Sequence, residues 1–357
     1  MEYLMHYDAN ELDITTSILN NPDNPEQKRL FEAAYALYDQ LFIEEEKDGK
    51  EALLAGISAG AGRTAPWVVA IDQKTGQVVG GTVVTVFNDR PASTFGYHFT
   101  DTRFRRRGIG RKLRQAALEY IKSFNEQKDI PAQTYQIKIF ADIENPAKMS
   151  FRDILATTAT ANIDPWGRAR FWERQGLLPI VCAQTGEAFP FVVIPDAQNA
   201  EPTEALDLWV AQPWAEVLPG SLTLDAREVT QDVVFWLFGA PDLRVNTYRP
   251  PFNNAALDKM IKWHEIHPDC MPSVEYLHNI YQTEAIFRTI FSEFLERELS
   301  DSSLAEQLQT GGASLTILMR QWEDARAGHT GRRAPPALTA QKLDTLDALW
   351  EFKRVLP

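Results

Sequence analysis

The sequence predicts an α/β (α+β) architecture in which a mixed sheet flanked by helices gives way to a mostly helical C-terminal extension. Three observations predict it. Helical and strand-like stretches alternate between about residues 25 and 212. An aromatic strand runs through a cluster of arginines into a glycine-opened helix near residue 108. Beyond about residue 215 the apolar pattern changes to long helical periods. The expected division is residues 1–215 and 216–357, because a chain of 357 residues that is 44% hydrophobic can bury two ordinary cores.

The elements follow in order. Leu30, Phe31, Ala34, Leu37, Tyr38, Leu41 and Phe42 recur at helical spacing and predict a helix over about 26–47. The small residues Ala55–Gly62 read as a mobile linker. Trp67–Ile71 and Val78–Phe87 are β-rich runs joined by the turn Asp72–Gly76, a hairpin signal. Thr94–Thr100 reads as the next strand, and Leu113, Ala116, Ala117, Tyr120 and Ile121 mark a helix that begins near Gly108. Tyr135–Ile143 alternates as a strand, Arg168–Gln175 is helical and stopped by Gly176, and Leu177–Cys182 begins a further strand. Ala205–Gln212 would close the sheet. In the second part, Ser273–Leu299 carries an apolar face of Leu277, Ile280, Tyr281, Ala285, Ile286 and Phe291. Ala327–Pro336 reads as a polar linker before a last helix over about 339–353.

The strand-to-helix junction is the most informative stretch. The first amides of a helix lack intrahelical partners and sit at the positive end of its macrodipole, which makes a ready anion site. Gly108 and Gly110 allow a bulky pyrophosphate to approach the main chain, and the flanking arginines supply charge. A Rossmann fingerprint would need a third glycine where Leu113 stands, and a Walker A loop would need Gly-Lys-Ser/Thr. Arg105-Arg106-Arg107-Gly108-Ile109-Gly110 instead resembles the Arg/Gln-x-x-Gly-x-Gly/Ala signature of the GNAT acyltransferase superfamily, in its strand-to-helix setting as well as its residues. The order of elements over roughly residues 25–212 also resembles that fold, whose sheet is splayed at its centre.

The resemblance implies acyl transfer from acetyl-CoA, or another acyl-CoA, to an amine, with no metal. It implies that Arg105, Arg106, Arg107, Gly108, Ile109, Gly110 and Arg111 hold the diphosphate, and that the main chain of Phe99 and Thr100 binds pantetheine. A cationic amine must lose a proton before it attacks, so a base is required. Asp142 and Glu144 are two apart at a strand's end and share one face, where the family often places its base. His98, on the strand before the phosphate helix, is a third candidate because imidazole titrates near neutral pH. Each of the three has a plain structural alternative: Glu144 solvating a turn, Asp142 pairing with an arginine, His98 packing in the core. Phe171–Leu177 resembles the family's last motif, with Trp172 where a tyrosine often protonates the leaving thiolate. Indole cannot do so, which leaves Tyr97, Tyr135 or unassisted departure. The resemblance still implies that Trp172 lines the CoA site. The segment Ala147–Ile163 is longer than the family normally carries and is expected to sit over the acceptor site, with Arg152 or Arg168 available to an acceptor carboxylate.

Composition bounds the partners. The formal net charge of −13 argues against nucleic acid or an anionic membrane as a general partner, while seven cations between Arg103 and Arg114 make a local basic patch. Two cysteines are too few for a disulfide framework, and the N-terminal segment has neither a basic nor a long apolar run, so a cytoplasmic protein is expected. His264-Glu265-Ile266-His267 lacks the i, i+4 spacing of a zinc helix and reads as structural, even with Cys270 nearby. The partners expected are an acyl-CoA and the amine of a small molecule or peptide, with the C-terminal helices as candidate homo-oligomer contacts. Two alternatives stand beside this reading: a non-catalytic acyl-CoA sensor or scaffold, and a GNAT enzyme using a longer acyl-CoA, an acyl carrier protein or an aminoacyl-tRNA as donor.

Overall fold

The computed structural model of the chain describes residues 13–42, 47–58, 62–128, 137–161, 163–191, 205–214, 222–238, 254–299, 306, 315 and 340–354. Two compact units result, one of Met1–Ala141, Ala211–Glu216 and Asp232–Val245, the other of Asp142–Val210, Val217–Gln231 and Asn246–Pro357.

In the first unit the strands run in the order β1-β3-β4-β5-β6, with the short β2 (Arg63–Thr64) on β4. The hairpin β3 (Trp67–Asp72) and β4 (Gln77–Phe87) forms as expected. Its turn is fixed by the Asp72 carboxylate, which accepts from the Thr75 hydroxyl at 2.8 Å, and by Gly76 at φ 69°. β1 (Ile14–Leu19), which the sequence reading did not single out, pairs antiparallel with β3 through a β-branched run. Helix α1 (Pro25–Leu41) starts where Asn24 accepts from the amides of Glu26 and Gln27 at 2.9 and 3.1 Å. It buries Leu30, Phe31, Ala34 and Tyr38, and the rings of Phe31 and Tyr38 meet Trp67 edge-on at 5.2 and 5.9 Å. The expected linker at 55–62 is corrected in part: Ala55–Ile57 are the last turn of helix α2 (Lys50–Ile57), held by buried Leu53 and Ile57. Small residues between two apolar anchors four apart do not prevent a helix when that pair finds a core. Residues 59–61 lie outside the described residues.

β5 (Ala92–Thr100) pairs antiparallel with β4 and parallel with β6 (Lys138–Glu144). The β5–β6 ladder comprises only Ala92↔Lys138, Ser93↔Ile139 and Thr94↔Phe140, so it ends while β5 still has six residues to run. Against β4, Thr82 faces His98 and Val84 faces Phe95, so Val83 stands opposite both Gly96 and Tyr97. This is a β-bulge, which bends the strand and raises its twist where the ladder to β6 ends. Helix α3 (Ile109–Gln127) buries Ile109, Leu113, Ala117 and Ile121, an i, i+4 seam.

In the second unit the order is β6-β8-β7-β10-β9, so β8 (Leu206–Ala211) lies inside the sheet rather than at its edge. β7 (Leu178–Cys182) is antiparallel to β8 and to β10 (Asp269–Pro272), and β10 to β9 (Leu224–Asp225). The helices are α4 (Phe151–Ala161), α5 (Pro165–Arg174), α6 (Ala226–Phe238, shared between the units), α7 (Asn254–Ile266), α8 (Val274–Leu299) and α9 (Ala340–Arg354).

Their core corrects the reading of 147–163 as a cover over the acceptor site. Phe151 and Ile154 are fully buried, and the Phe151 ring stacks on Phe287 at 4.3 Å. Trp166 donates its indole N–H to the Ile280 carbonyl at 3.2 Å, and Trp350 donates to the Met149 carbonyl at 2.9 Å. The apolar face of α8 also needs correction: Ala285 is exposed, while Phe287 and Ile290 join Leu277, Ile280 and Phe291 in the core. The described part of the C-terminal region is helical apart from β9 and β10. Tyr135 and the linker at 327–336 lie outside the described residues.

Candidate functional site

In the first unit the chain leaves β5 at Asp101, whose amide donates to the Val79 carbonyl at 2.9 Å. The Asp101 carboxylate then accepts from the Arg103 amide at 2.9 Å and from its guanidinium at 2.6 Å, capping a short 3-10 turn, Thr102–Phe104. The hydrogen bond from Arg103 holds the Asp101 carboxyl below its ordinary range. Arg103 therefore serves this turn, which corrects its place in the basic patch.

The next residues form the loop that opens α3. Arg105 is extended, and its Nε lies 3.4 Å from the Thr100 carbonyl. Arg106 has φ 63°, the one positive φ at a non-glycine among the described residues, and Gly108 follows at φ 76° as the N-cap of α3. A left-handed arginine costs about 1 kcal/mol or more and persists where the surroundings impose it. Left-handed residues in a short loop turn successive amides toward one concavity. Gly108 offers no side chain to cap α3, and the intrahelical ladder begins only with the Lys112 amide on the Gly108 carbonyl at 3.1 Å. The amides of Ile109, Gly110 and Arg111 thus form the helix's donor end. Arg106, Arg107 and Arg111 are exposed around it, with the Arg107 guanidinium 5.8 Å from the Phe104 ring, while Lys112 reaches the Ile14 carbonyl at 3.3 Å.

Two glycines missed in the sequence hold this junction to the sheet. A Cβ on Gly80 would lie 2.8 Å from the Phe99 carbonyl and 3.2 Å from Ile109 Cγ2, and one on Gly81 would lie 2.7 Å from Phe99 Cζ. The close approach of Phe99 and α3 to β4 requires both, and glycine inside a strand is the sequence signal for it. Phe99 itself is buried and Thr100 half-buried. His98, opposite Thr82 and half-buried, is pushed down to about 4 by burial, so its imidazole is neutral at pH 7. Tyr97 donates its phenol to the Asp48 carboxylate at 3.1 Å, and burial raises its pKa, both of which work against service as a general acid.

In the second unit, Asp142 and Glu144 lie on one face of β6, both half-buried, as their spacing predicts. Burial pushes the Asp142 carboxyl up to about 6. Glu144 is ion-paired with Arg168 of α5. That pair corrects the suggestion that Arg168 awaits an acceptor carboxylate. Arg152 is corrected likewise, since it pairs with Asp344 at 2.7 Å. Just beyond Glu144, Asn145 donates to the Asp207 carboxylate at 2.7 Å, and Lys148 meets the other oxygen of that carboxylate at 2.7 Å. Trp172 is half-buried on α5 with its ring 5.2 Å from Phe171. His267 is buried with Nε2 3.2 Å from Glu187. Among the described residues no group of three or more His, Cys, Asp or Glu could hold a metal ion, and no helix is long and apolar enough to cross a membrane.

An uncapped helix N-terminus with exposed Arg106, Arg107 and Arg111 beside it has the chemistry to attract an anion. Residues 31–137 match the family model described as Acetyltransferase (GNAT) family, and this stretch is a GNAT acetyltransferase domain. Among solved structures, the chain is similar to the ribosomal-protein-S18-alanine N-acetyltransferase of Escherichia coli, at 13% identity over 57% of this chain and 98% of that one, with a TM-score of 0.32. It is similar to Tetrahymena GCN5 at 12% identity over 57% and 98%, with a TM-score of 0.34. A GNAT-family acetyltransferase of Staphylococcus aureus Mu50 is similar at 14% identity over 55% and 98%, with a TM-score of 0.31. No curated protein matches the chain.

Proposed function

We propose that this chain is an acyl-CoA-dependent N-acyltransferase that moves an acyl group, acetyl first among the candidates, from coenzyme A to the amine of a small molecule or peptide. The observation that carries the proposal is the Arg105–Gly110 loop. Two residues of positive φ lead into an uncapped helix end, inside the stretch that matches the GNAT family. In this reading the amides of Ile109, Gly110 and Arg111 hold the diphosphate, with Arg105, Arg106, Arg107 and Arg111 as its counter-charges. The main chain of Phe99 and Thr100 binds the pantetheine arm. Asp142 is the base: it takes the ammonium proton of the acceptor, the freed lone pair attacks the thioester carbonyl to form the C–N bond, the C–S bond breaks with the electrons leaving on sulfur, and the excess proton on nitrogen passes to the thiolate, giving the amide and free coenzyme A. Glu144 is the weaker candidate because Arg168 already occupies its carboxylate. His98 is weaker because a group pushed down to about 4 has little affinity for an amine's proton.

Calorimetric titration with acetyl-CoA tests the reading. Binding in the micromolar range by the full chain is expected, with a loss of at least about tenfold in the Gly108→Val, Gly110→Val double variant, because side chains there block close approach of the diphosphate. An acetyl-CoA affinity that both substitutions leave untouched removes the proposal. A second reading, a non-catalytic acyl-CoA sensor, is favoured by Trp172 standing where the family often has a proton donor. It predicts binding without thiol release from acetyl-CoA for any amine in a broad screen.

A further inference from the structure

The two cysteines of the chain, Cys182 and Cys270, are distant in sequence, yet the structure sets them directly opposite each other in the antiparallel β7–β10 ladder. Both belong to the second unit, both are buried, and neither is joined in a disulfide. Rungs of an antiparallel ladder alternate between hydrogen-bonded and non-hydrogen-bonded pairs. The Ala183 amide donates to the Asp269 carbonyl at 3.1 Å, and the Ser273 amide donates to the Pro179 carbonyl at 2.8 Å, so 183/269 and 179/273 are bonded rungs. By alternation 182/270 is a non-bonded rung. Cys182 agrees independently, because its own amide and carbonyl turn away from β10 to Glu187 and Gly186, at 2.7 and 3.0 Å.

Non-bonded partners have Cα atoms about 4.5 Å apart and side chains on the same face. That separation lies within the roughly 4.4–6.8 Å that a disulfide spans. The Cys182 sulfur also accepts from the amides of Gln184 and Thr185, each at 3.4 Å, in an exposed turn. Against the upward push of burial, hydrogen bonds from Thr185 and Gln184 hold this thiol below its ordinary value.

We propose that Cys182 and Cys270 are a redox modification site, in which a peroxide-class oxidant closes a disulfide that staples β7 to β10. The Cys182 thiolate attacks a peroxide oxygen, so an S–O bond forms, the O–O bond breaks and hydroxide leaves to become water. The Cys270 sulfur then attacks the Cys182 sulfenic acid. The S–S bond forms, the S–O bond breaks, and the departing hydroxide takes the Cys270 proton as a second water. Two thiols are thereby oxidised by two electrons in all, and one peroxide is reduced. The site makes no use of the acyl-transfer reading and is measured without coenzyme A or an acceptor.

The test treats the full reduced chain with hydrogen peroxide, denatures it and counts thiols by maleimide mass shift. The reduced chain takes two labels. The expected oxidised chain is a monomer that takes none, weighs two hydrogens less, yields a peptide linking Cys182 to Cys270, and regains both labels with dithiothreitol. In Cys270→Ser the sulfenic acid at Cys182 has no resolving partner, so dimedone should trap it about tenfold more than in the parent chain. Retention of both thiols, oxidation to unlinked sulfinic or sulfonic acids, or links only between chains would each overturn the proposal.

Discussion

Gly80→Ala probes the contact that seats the loop on the sheet. The added Cβ meets the Phe99 carbonyl at 2.8 Å, where ordinary contacts begin near 3.4 Å, and the obstructing atom is main chain in a β ladder that no rotamer change can clear. Its second neighbour, Ile109 Cγ2 at 3.2 Å, is the first residue of α3. Overpacking of this kind costs about 1–3 kcal/mol. Restricting the unfolded chain returns about 0.4–1 kcal/mol, so the net loss expected is about 1–2 kcal/mol. The control is Gly96→Ala on the neighbouring strand, whose Cβ would sit 3.6 Å from Val83 Cβ, an ordinary contact, and which should be neutral or slightly stabilising. With two compact units a single global midpoint is not a safe measure. The assay is therefore urea-dependent hydrogen exchange read on peptides of β4 and β5, paired with acetyl-CoA titration. Gly80→Ala should lower the midpoint by about 0.5 M for a slope of 2–3 kcal/mol/M, and should weaken acetyl-CoA because Phe99 and Ile109 bracket the loop. If Gly80→Ala matches the parent in both readouts, or Gly96→Ala is the more damaging of the two, the packing argument fails.

Three further outcomes are expected. Asp142→Asn should lower kcat by about 10²–10⁴ with acetyl-CoA affinity unchanged. In the parent, kcat/KM should climb as pH rises through about 6, where the buried carboxyl ionises, and that limb should vanish in the variant. Arg106→Gly should raise thermal stability by the equivalent of about 1 kcal/mol, since glycine holds φ 63° without strain. A drop instead would mean that the arginine side chain anchors the loop. Phe151→Ala should cost about 3–5 kcal/mol in the second unit, seen in its exchange-protected peptides, because the ring is fully buried on Phe287. A cost under about 1 kcal/mol would restore the picture of 147–163 as a cover rather than core.

Local signals carried most of what was readable in the chain. The β3–β4 hairpin, the start of α3 at Gly108 and the stop of α5 before Gly176 each depend on a few adjacent residues whose backbone preferences are strong. What failed depended on partners far away in sequence. Helix α2 forms because Leu53 and Ile57 find a core that Leu30, Phe31 and Trp67 supply. α4 is interior because Phe287 and Trp350 come to meet it, and the face of α8 was misassigned at Ala285 because its apolar residues allow more than one register. The site divides the same way. The turn from Arg105 to Gly110 is one continuous loop, so its entry into α3 was legible. The glycines that seat it stand on β4, and their purpose becomes visible only when Phe99 is placed against them.

The choice of base shows why chemistry is harder to read than fold. Asp142 and Glu144 have the same strand, the same face and the same functional group, so spacing cannot rank them. Arg168, a helix away, ranks them by pairing with one and leaving the other to burial. The consequence for stability has a definite sign. A carboxyl at about 6 in the folded chain, against an ordinary 3.8, binds its proton more tightly folded than unfolded. Its contribution is therefore full below pH 3.8 and declines as pH rises through about 6. His98, held at about 4 against 6.5, acts in the opposite direction over nearly the same window, because there the unfolded chain binds the extra proton. The two groups belong to different compact units, so each slope is read in its own unit. Asp142→Asn should therefore remove the part of the second unit's stability that is lost as pH rises through about 6 and leave the pH dependence of the first unit's exchange-protected peptides unchanged; a variant whose second unit keeps the parent's full decline over that interval would refute the placement of that proton on Asp142.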